Sequence, residues 1–86
     1  MRRITFEKEA FEQYNEWATS EPPIFRKLMN LIIESSRTPF EGTGKPELLK
    51  HSKGYWSRRI TQEHRLVYKV TDDAITVVAC KYHYGK

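Results

Sequence analysis

The chain has 86 residues, 38% hydrophobic and 30% charged, with 15 Lys and Arg against 11 Asp and Glu and a formal net charge of +4. That composition predicts one folded domain over residues 1–86 with a single compact core, and it excludes a disordered polymer. The lone cysteine, Cys80, excludes an internal disulfide and a thiolate zinc site. No apolar run approaches the roughly 20 residues of a membrane span, and MRRITFEKEA lacks the apolar core of a signal peptide, so a cytoplasmic protein is expected.

In chain order, Arg2–Phe6 predicts a short first strand. From Glu7 to Ala18 the apolar residues Ala10, Phe11, Tyr14, Trp17 and Ala18 recur at helical spacing and read as core. Glu7 and Glu9 sit in the first turn, where the helix dipole favours anions. Glu21-Pro22-Pro23 ends that helix and starts the next, because proline suits a first helical turn. Ile24, Phe25, Leu28, Leu31 and Ile32 then share one face, and Arg26, Lys27, Asn30 and Glu34 fall on the other, as far as about Ser36. Two such helices joined by a short break predict a helical hairpin.

Arg37–Gly54 holds two of the four prolines and three of the four glycines, and reads as loop. Structureless loops of that length are uncommon in small domains and are often functional. Tyr55–Thr61 and Arg65–Val70 then read as strands around the hairpin break Gln62-Glu63-His64. After a second turn signal, Ala74–Tyr82 is β-branched and apolar on both parities, as a strand covered on both sides would be. The fold class is therefore α+β. The order β-α-α-β-β-β predicts a small, antiparallel-rich twisted sheet with both N-terminal helices on one face.

Charge is divided unevenly along this plan. Residues 1–47 carry seven basic and eight acidic side chains, and residues 48–86 carry eight basic and three acidic. The stretch Lys50–Lys69, KHSKGYWSRRITQEHRLVYK, interleaves six Lys and Arg with aromatics and two His against one acid, Glu63. Such a surface suits phosphate and bases, although a solvated basic face has the same composition. Strand alternation puts Tyr55, Ser57 and Arg59 on one face and Trp56, Arg58 and Ile60 on the other. Leu66, Tyr68 and Val70 form the apolar set that belongs under the helices, which leaves Arg65, Val67 and Lys69 facing outward with Arg59. In the last strand His83 shares parity with Ile75, Val77, Ala79 and Lys81. Composition leaves two readings of Arg59 and Arg65: a phosphate clamp, or ordinary exposed strand arginines.

Metal-free RNA cleavage needs a base for the 2′-hydroxyl, an acid for the leaving 5′-oxygen and a cation for the phosphorane. The candidates are Glu47 or a His as base, His83 as acid, and Arg65 with Arg59 as cations. Glu47 lies in GKPELLKH beside Pro46 and between Lys45 and Lys50, where a solvated loop glutamate is the alternative. His83, His51 and His64 each suit proton transfer near neutral pH, as does any histidine, and each is equally a packed ring. No His pair has helical i,i+3 or i,i+4 spacing and no carboxylate cluster joins them, so neither a metal nor another cofactor is expected. Thr43-Gly44-Lys45 departs from the phosphate-binding loop pattern. Cys80 reads as core.

The run SRTPFEGTGKPELLKHSKGYWSRRITQEHRLVYKVTDD, with the terminal ACKYHY, resembles the YoeB (Txe/YoeB) toxins of the RelE/ParE superfamily. The resemblance implies a ribosome-dependent endoribonuclease that cuts mRNA in the A site of the 70S ribosome and stops translation. It implies a catalytic Glu47 in GKPE, a phosphate-stabilising Arg65 in EHRLVY, and catalytic His83 and Tyr84 at the terminus. Arg59 of WSRRI is implied to line the same pocket, and Lys50 and His51 to contact RNA, with Lys69 added from its outward parity. The implied partners are a cognate, YefM-like antitoxin with a disordered C-terminal tail and a second copy of the toxin. The sequence departs from the family by ending in Gly85-Lys86 beyond the usual terminal tyrosine. A non-catalytic nucleic-acid or ribosome binder, a ParE-like gyrase inhibitor and a structural partner in a complex are the alternatives. The glutamate of GKPE and the YHY terminus argue against the gyrase reading, which needs no general acid–base set.

Overall fold

The computed structural model of the chain describes residues 1–50 and 53–82. Its elements are β1 (Arg3–Phe6), α1 (Lys8–Ser20), α2 (Pro22–Arg37), β2 (Glu47–Leu48), β3 (Tyr55–Arg59), β4 (Arg65–Val70) and β5 (Ala74–Ala79). The strands form one sheet in the order β1-β5-β4-β3-β2. β1 runs parallel to β5 and every other pairing is antiparallel.

Glu21 is the whole connection between the helices. Its N–H closes α1 on the Trp17 carbonyl at 3.0 Å, and Pro22 and Pro23 then open α2 where no amide donor is needed. The hairpin covers one face of the sheet, as alternation predicts. Ala10 and Trp17 of α1 and Leu28, Leu31 and Ile32 of α2 pack on Ile60, Leu66, Tyr68, Ile75, Val77 and Cys80. The apolar stripe of α1 is narrower than its sequence suggests. Ala10, Tyr14 and Trp17 face the sheet, whereas Ala18 and Phe11 are exposed. Phe11 covers the rim by an edge-to-face contact with Phe6 at 5.8 Å.

β1 begins at Arg3 rather than Arg2 and β3 ends at Arg59 rather than Thr61, and two larger departures from expectation follow. The loop over 37–54 contains the two-residue strand β2, with Glu47 opposite Ser57 and Leu48 opposite Trp56. Two residues between a proline and a basic segment are too few to show alternation. β5 stops at Ala79 rather than reaching Tyr82, and it is bulged. Val67 pairs with Ala79 while Tyr68 pairs with Val77, so Val78 is the extra residue. A bulge shifts the alternation by one. Ile75, Val77 and Cys80 therefore face the helices, and Val78 and Ala79 join Val67 on the opposite face beneath Leu49 and Tyr55. The bulge explains why this segment is apolar on both parities, and it breaks the expected grouping of Ala79 with Ile75 and Val77. Among the described residues no helix is long and apolar enough to cross a membrane.

Candidate functional site

Alternation along β3 sends Arg58 inward with Trp56 and Ile60, and the guanidinium is fully buried. A buried cation is tolerated only when it is paired and its donors are satisfied. Arg58 meets both conditions. Its Nη1 donates to Glu34 Oε2 at 2.6 Å and to the Thr43 carbonyl at 3.2 Å. Nη2 donates to the carbonyls of Thr38 and Glu41, the latter at 3.0 Å, and Nε donates to the Tyr68 hydroxyl at 3.0 Å. All five N–H groups of the fork are thereby used. Tyr68 passes its own proton to the Pro39 carbonyl at 2.6 Å. Glu34, expected on the solvent side of α2, instead turns to this cation. It also accepts the Thr43 N–H at 2.6 Å and the Thr43 hydroxyl at 2.9 Å. The backbone N–H of Thr43, with the Thr43 hydroxyl and Arg58, holds the Glu34 carboxyl below its ordinary value.

This network pins the chain from Thr38 to Thr43, and two glycines let it lie flat. A Cβ on Gly42 would stand 2.0 Å from Glu34 Oε2, and one on Gly44 would stand 2.9 Å from the Arg59 carbonyl. Both glycines have positive φ. The Gly44 carbonyl accepts the Arg59 N–H at 2.8 Å, and the chain passes through Lys45, also at positive φ, into β2. Glu47 thus arrives opposite Ser57 on the face away from the helices.

On that face the acid meets a cation. Arg65 Nη2 donates to Glu47 Oε1 at 3.1 Å, and Arg65 Nε donates to the Ser57 hydroxyl at 3.1 Å. Arg59 pairs directly with Arg65 across the β3–β4 ladder. Like charges in directly opposed positions destabilise a sheet, so two arginines here favour an anion between or above them. One carboxylate, two-thirds exposed, is the anion the fold supplies. An exposed carboxylate bonded to one guanidinium, with a second arginine directly opposed across the ladder, is a set that could accept a proton and hold a phosphate. Lys69 occupies the same face but lies four residues along β4 from Arg65, about 13 Å away at strand rise. Lys50 is exposed in the turn after β2. The structure therefore gathers Glu47, Arg59 and Arg65, and sets Lys69 apart. His51, His83 and Tyr84 lie outside the described residues.

The chain reaches the last described residue, Tyr82, beside Arg65. The Tyr82 carbonyl accepts the Arg65 N–H at 3.1 Å, and the Tyr82 N–H donates to His64 Nδ1 at 2.8 Å. The His64 ring is packed edge-on against Trp17 at 4.8 Å and lies 5.2 Å from the Tyr82 ring. His64 is thus a packed ring that orients backbone, one of the two readings open for it in the sequence. Cys80 is buried, and burial pushes its thiol up to about 12, far from a nucleophile's range. Among the described residues no three His, Cys, Asp or Glu side chains are grouped to hold a metal ion.

Sequence reasoning missed Arg58, Glu34, Tyr68 and Ser57 as parts of this region. Arg58 carried a signal: an arginine at core parity, flanked by Trp56 and Ile60, demands a carboxylate partner. Nothing in the spacing of α2 singled out Glu34 as that partner.

Comparison with known proteins identifies the family and supports the fold. Residues 6–84 match the family model described as the YoeB-like toxin of bacterial type II toxin–antitoxin systems. Toxin YoeB of Escherichia coli K12 is 51% identical over 83 residues, spanning 95% of this chain and 99% of that protein. Toxin YoeB of Streptomyces coelicolor is 49% identical over the same shares. The solved YoeB/ParE toxin from Agrobacterium tumefaciens superposes with a TM-score of 0.90 at 40% identity, covering 95% of this chain and 99% of that one. The YoeB of a Staphylococcus aureus dimer structure superposes at 0.89 with 45% identity, over 96% and 98%. A near full-length match at half identity, on the same fold, makes this chain a member of the YoeB-like toxin family of bacterial type II toxin–antitoxin systems.

Proposed function

We propose that the chain is an mRNA interferase, an endoribonuclease that cleaves mRNA in the ribosomal A site and thereby stops translation. The observation that carries this reading is the 3.1 Å pairing of Glu47 with Arg65 on the open face, with Arg59 directly opposed. In this scheme Glu47 removes the proton of a 2′-hydroxyl, and that oxygen attacks the adjacent phosphorus. Arg65, with Arg59, stabilises the negative charge of the phosphorane. His83 protonates the departing 5′-oxygen, and Tyr84 orients or stacks on a base. The products are a 2′,3′-cyclic phosphate, or the 3′-phosphate formed from it by water, and a 5′-hydroxyl, and every proton is accounted for without a metal ion. Lys50, His51 and Lys69 steer and position the RNA backbone.

The same reading supplies partners. The Staphylococcus aureus relatives were solved as a YoeB dimer and as a YoeB–YefM complex, which supports a second copy and a YefM-like antitoxin as partners of this cytoplasmic toxin. The test is cleavage of a reporter mRNA on programmed ribosomes, with and without chelator. Glu47→Ala and Arg65→Ala are each expected to slow cleavage by about 100-fold or more. A near-normal rate in either variant removes that residue from the scheme, and loss of all activity on chelation overturns the metal-free mechanism.

A further inference from the structure

Resting on that reading of Glu47, we infer that Arg58 is a positioning residue: it sets the loop that delivers Glu47 to Arg65, although it lies on the opposite face of the sheet. Arg58 and Arg59 are neighbours on one strand and so project to opposite faces. Arg59 has its side chain at the open face, while Arg58 reaches through the core to bind the loop from behind. The bonds are specific to loop backbone. Three of the five Arg58 donors end on the carbonyls of Thr38, Glu41 and Thr43, a fourth holds Glu34 against Thr43, and the fifth aligns the Tyr68 hydroxyl with the Pro39 carbonyl.

From Thr43 only three residues remain before Glu47, and they have little freedom. Gly44 is fixed to β3 by its carbonyl, Lys45 is held at positive φ, and Pro46 has its φ set by its ring. Glu47 is then bound in β2 opposite Ser57, which itself accepts from Arg65. Among the described residues β2 is the edge strand, paired on one side only. A two-residue edge strand is too short to hold its own register. The Arg58 network is therefore the anchor for the carboxylate's position, and Glu34 and Thr43 are its outer members. A proton acceptor displaced by an ångström loses much of its rate, so an anchor on the far side of the sheet acts on turnover rather than on RNA binding.

The test uses the full chain on programmed ribosomes, with thermal melts fixing the folded fraction. Arg58→Lys and Thr43→Val are each made alone and together with Glu47→Ala. Arg58→Lys keeps the charge and loses the fork. Thr43→Val removes only the hydroxyl bond to Glu34 in an exposed loop, and decides the matter if the lysine variant does not fold. In the parent background each folded variant is expected to lower kcat by about tenfold or more, with KM within about twofold. In the Glu47→Ala background the same substitution should change the residual rate by less than about twofold, because groups acting through one another are not additive. Equal losses in both backgrounds would mean a general structural role and overturn the inference, as would an unchanged rate in the parent background. If Glu47→Ala alone leaves the rate intact, the underlying assignment of Glu47 fails, and this positioning role fails with it.

Discussion

Two arginine–glutamate pairs stand on opposite faces of one sheet. Arg58–Glu34 spans 2.6 Å, with the arginine side chain wholly enclosed and the glutamate about one-third exposed. Arg65–Glu47 spans 3.1 Å, with 16% of the arginine and 66% of the glutamate side chain exposed. The chemistry is the same and the surroundings are not. The inner guanidinium has no unused donor and no route for a ligand, so its role is to hold chain. The outer pair is bonded at one carboxylate oxygen, open to solvent and opposed by a second arginine. Burial, rather than residue type, separates the structural pair from the candidate reactive one.

The largest effect that would break this comparison is in stability. Arg58→Ala strips the partner from Glu34, frees three loop carbonyls and opens a cavity at the sheet–helix junction. It is expected to destabilise the fold by about 3–5 kcal/mol. Urea unfolding followed by circular dichroism measures this, with Arg65→Ala as the control expected to cost no more than about 1 kcal/mol. Comparable losses in the two variants would mean that the two pairs do not differ as their burial indicates.

Most of the architecture was legible before any coordinates. Both helices, the Pro22-Pro23 break, the β3–β4 hairpin and the helix-covered face follow from periodicities of 3.6 and 2 and from turn residues. What escaped was whatever depends on pairing rather than on pattern. The parallel partnership of β1 and β5 joins residues some 70 positions apart, and Val78 leaves no local mark as a bulge. At the site, GKPE and EHRLVY carried Glu47 and Arg65 through the family resemblance, and alternation placed Arg59 and Arg65 on one face. Arg58 shows the limit of reading a basic stretch by composition. It lies within the basic stretch from Lys50 to Lys69, yet it adds little to the surface field, because its charge is enclosed and paired with Glu34. The surface charge of that stretch is smaller than its sequence suggests and is concentrated at Arg59, Arg65 and the lysines.

A smaller effect sharpens the same contrast through pH. The folded state holds the Glu34 carboxyl below its ordinary value of 4.5. A depressed carboxylate contributes stability that is present above the unfolded value and is lost as the pH falls through the folded one. Protonation also leaves Arg58 buried without its counter-ion. Glu34→Gln should therefore be less stable than the parent at neutral pH by a constant margin. That margin should narrow as the pH drops below 4.5, and urea melts across the acid range will show it. A margin that stays constant through that range would mean that the Glu34 charge is not what the folded state recognises.

The smallest expected effect belongs to the outer pair. A double-mutant cycle on stability, with Glu47→Gln and Arg65→Gln singly and together, should give a coupling below about 1 kcal/mol, since the glutamate is mostly in water and salt screens the pair. Under the proposed scheme the same cycle read on cleavage should be strongly non-additive, because in that scheme either loss alone disables the step that both would serve. The joint outcome carries the argument. Weak coupling in folding with strong coupling in turnover identifies a pair that the fold tolerates rather than requires. Strong coupling in folding would place Glu47–Arg65 beside Glu34–Arg58 as a fastening of the loop, and the open face would then lack the loosely held carboxylate that general base catalysis needs.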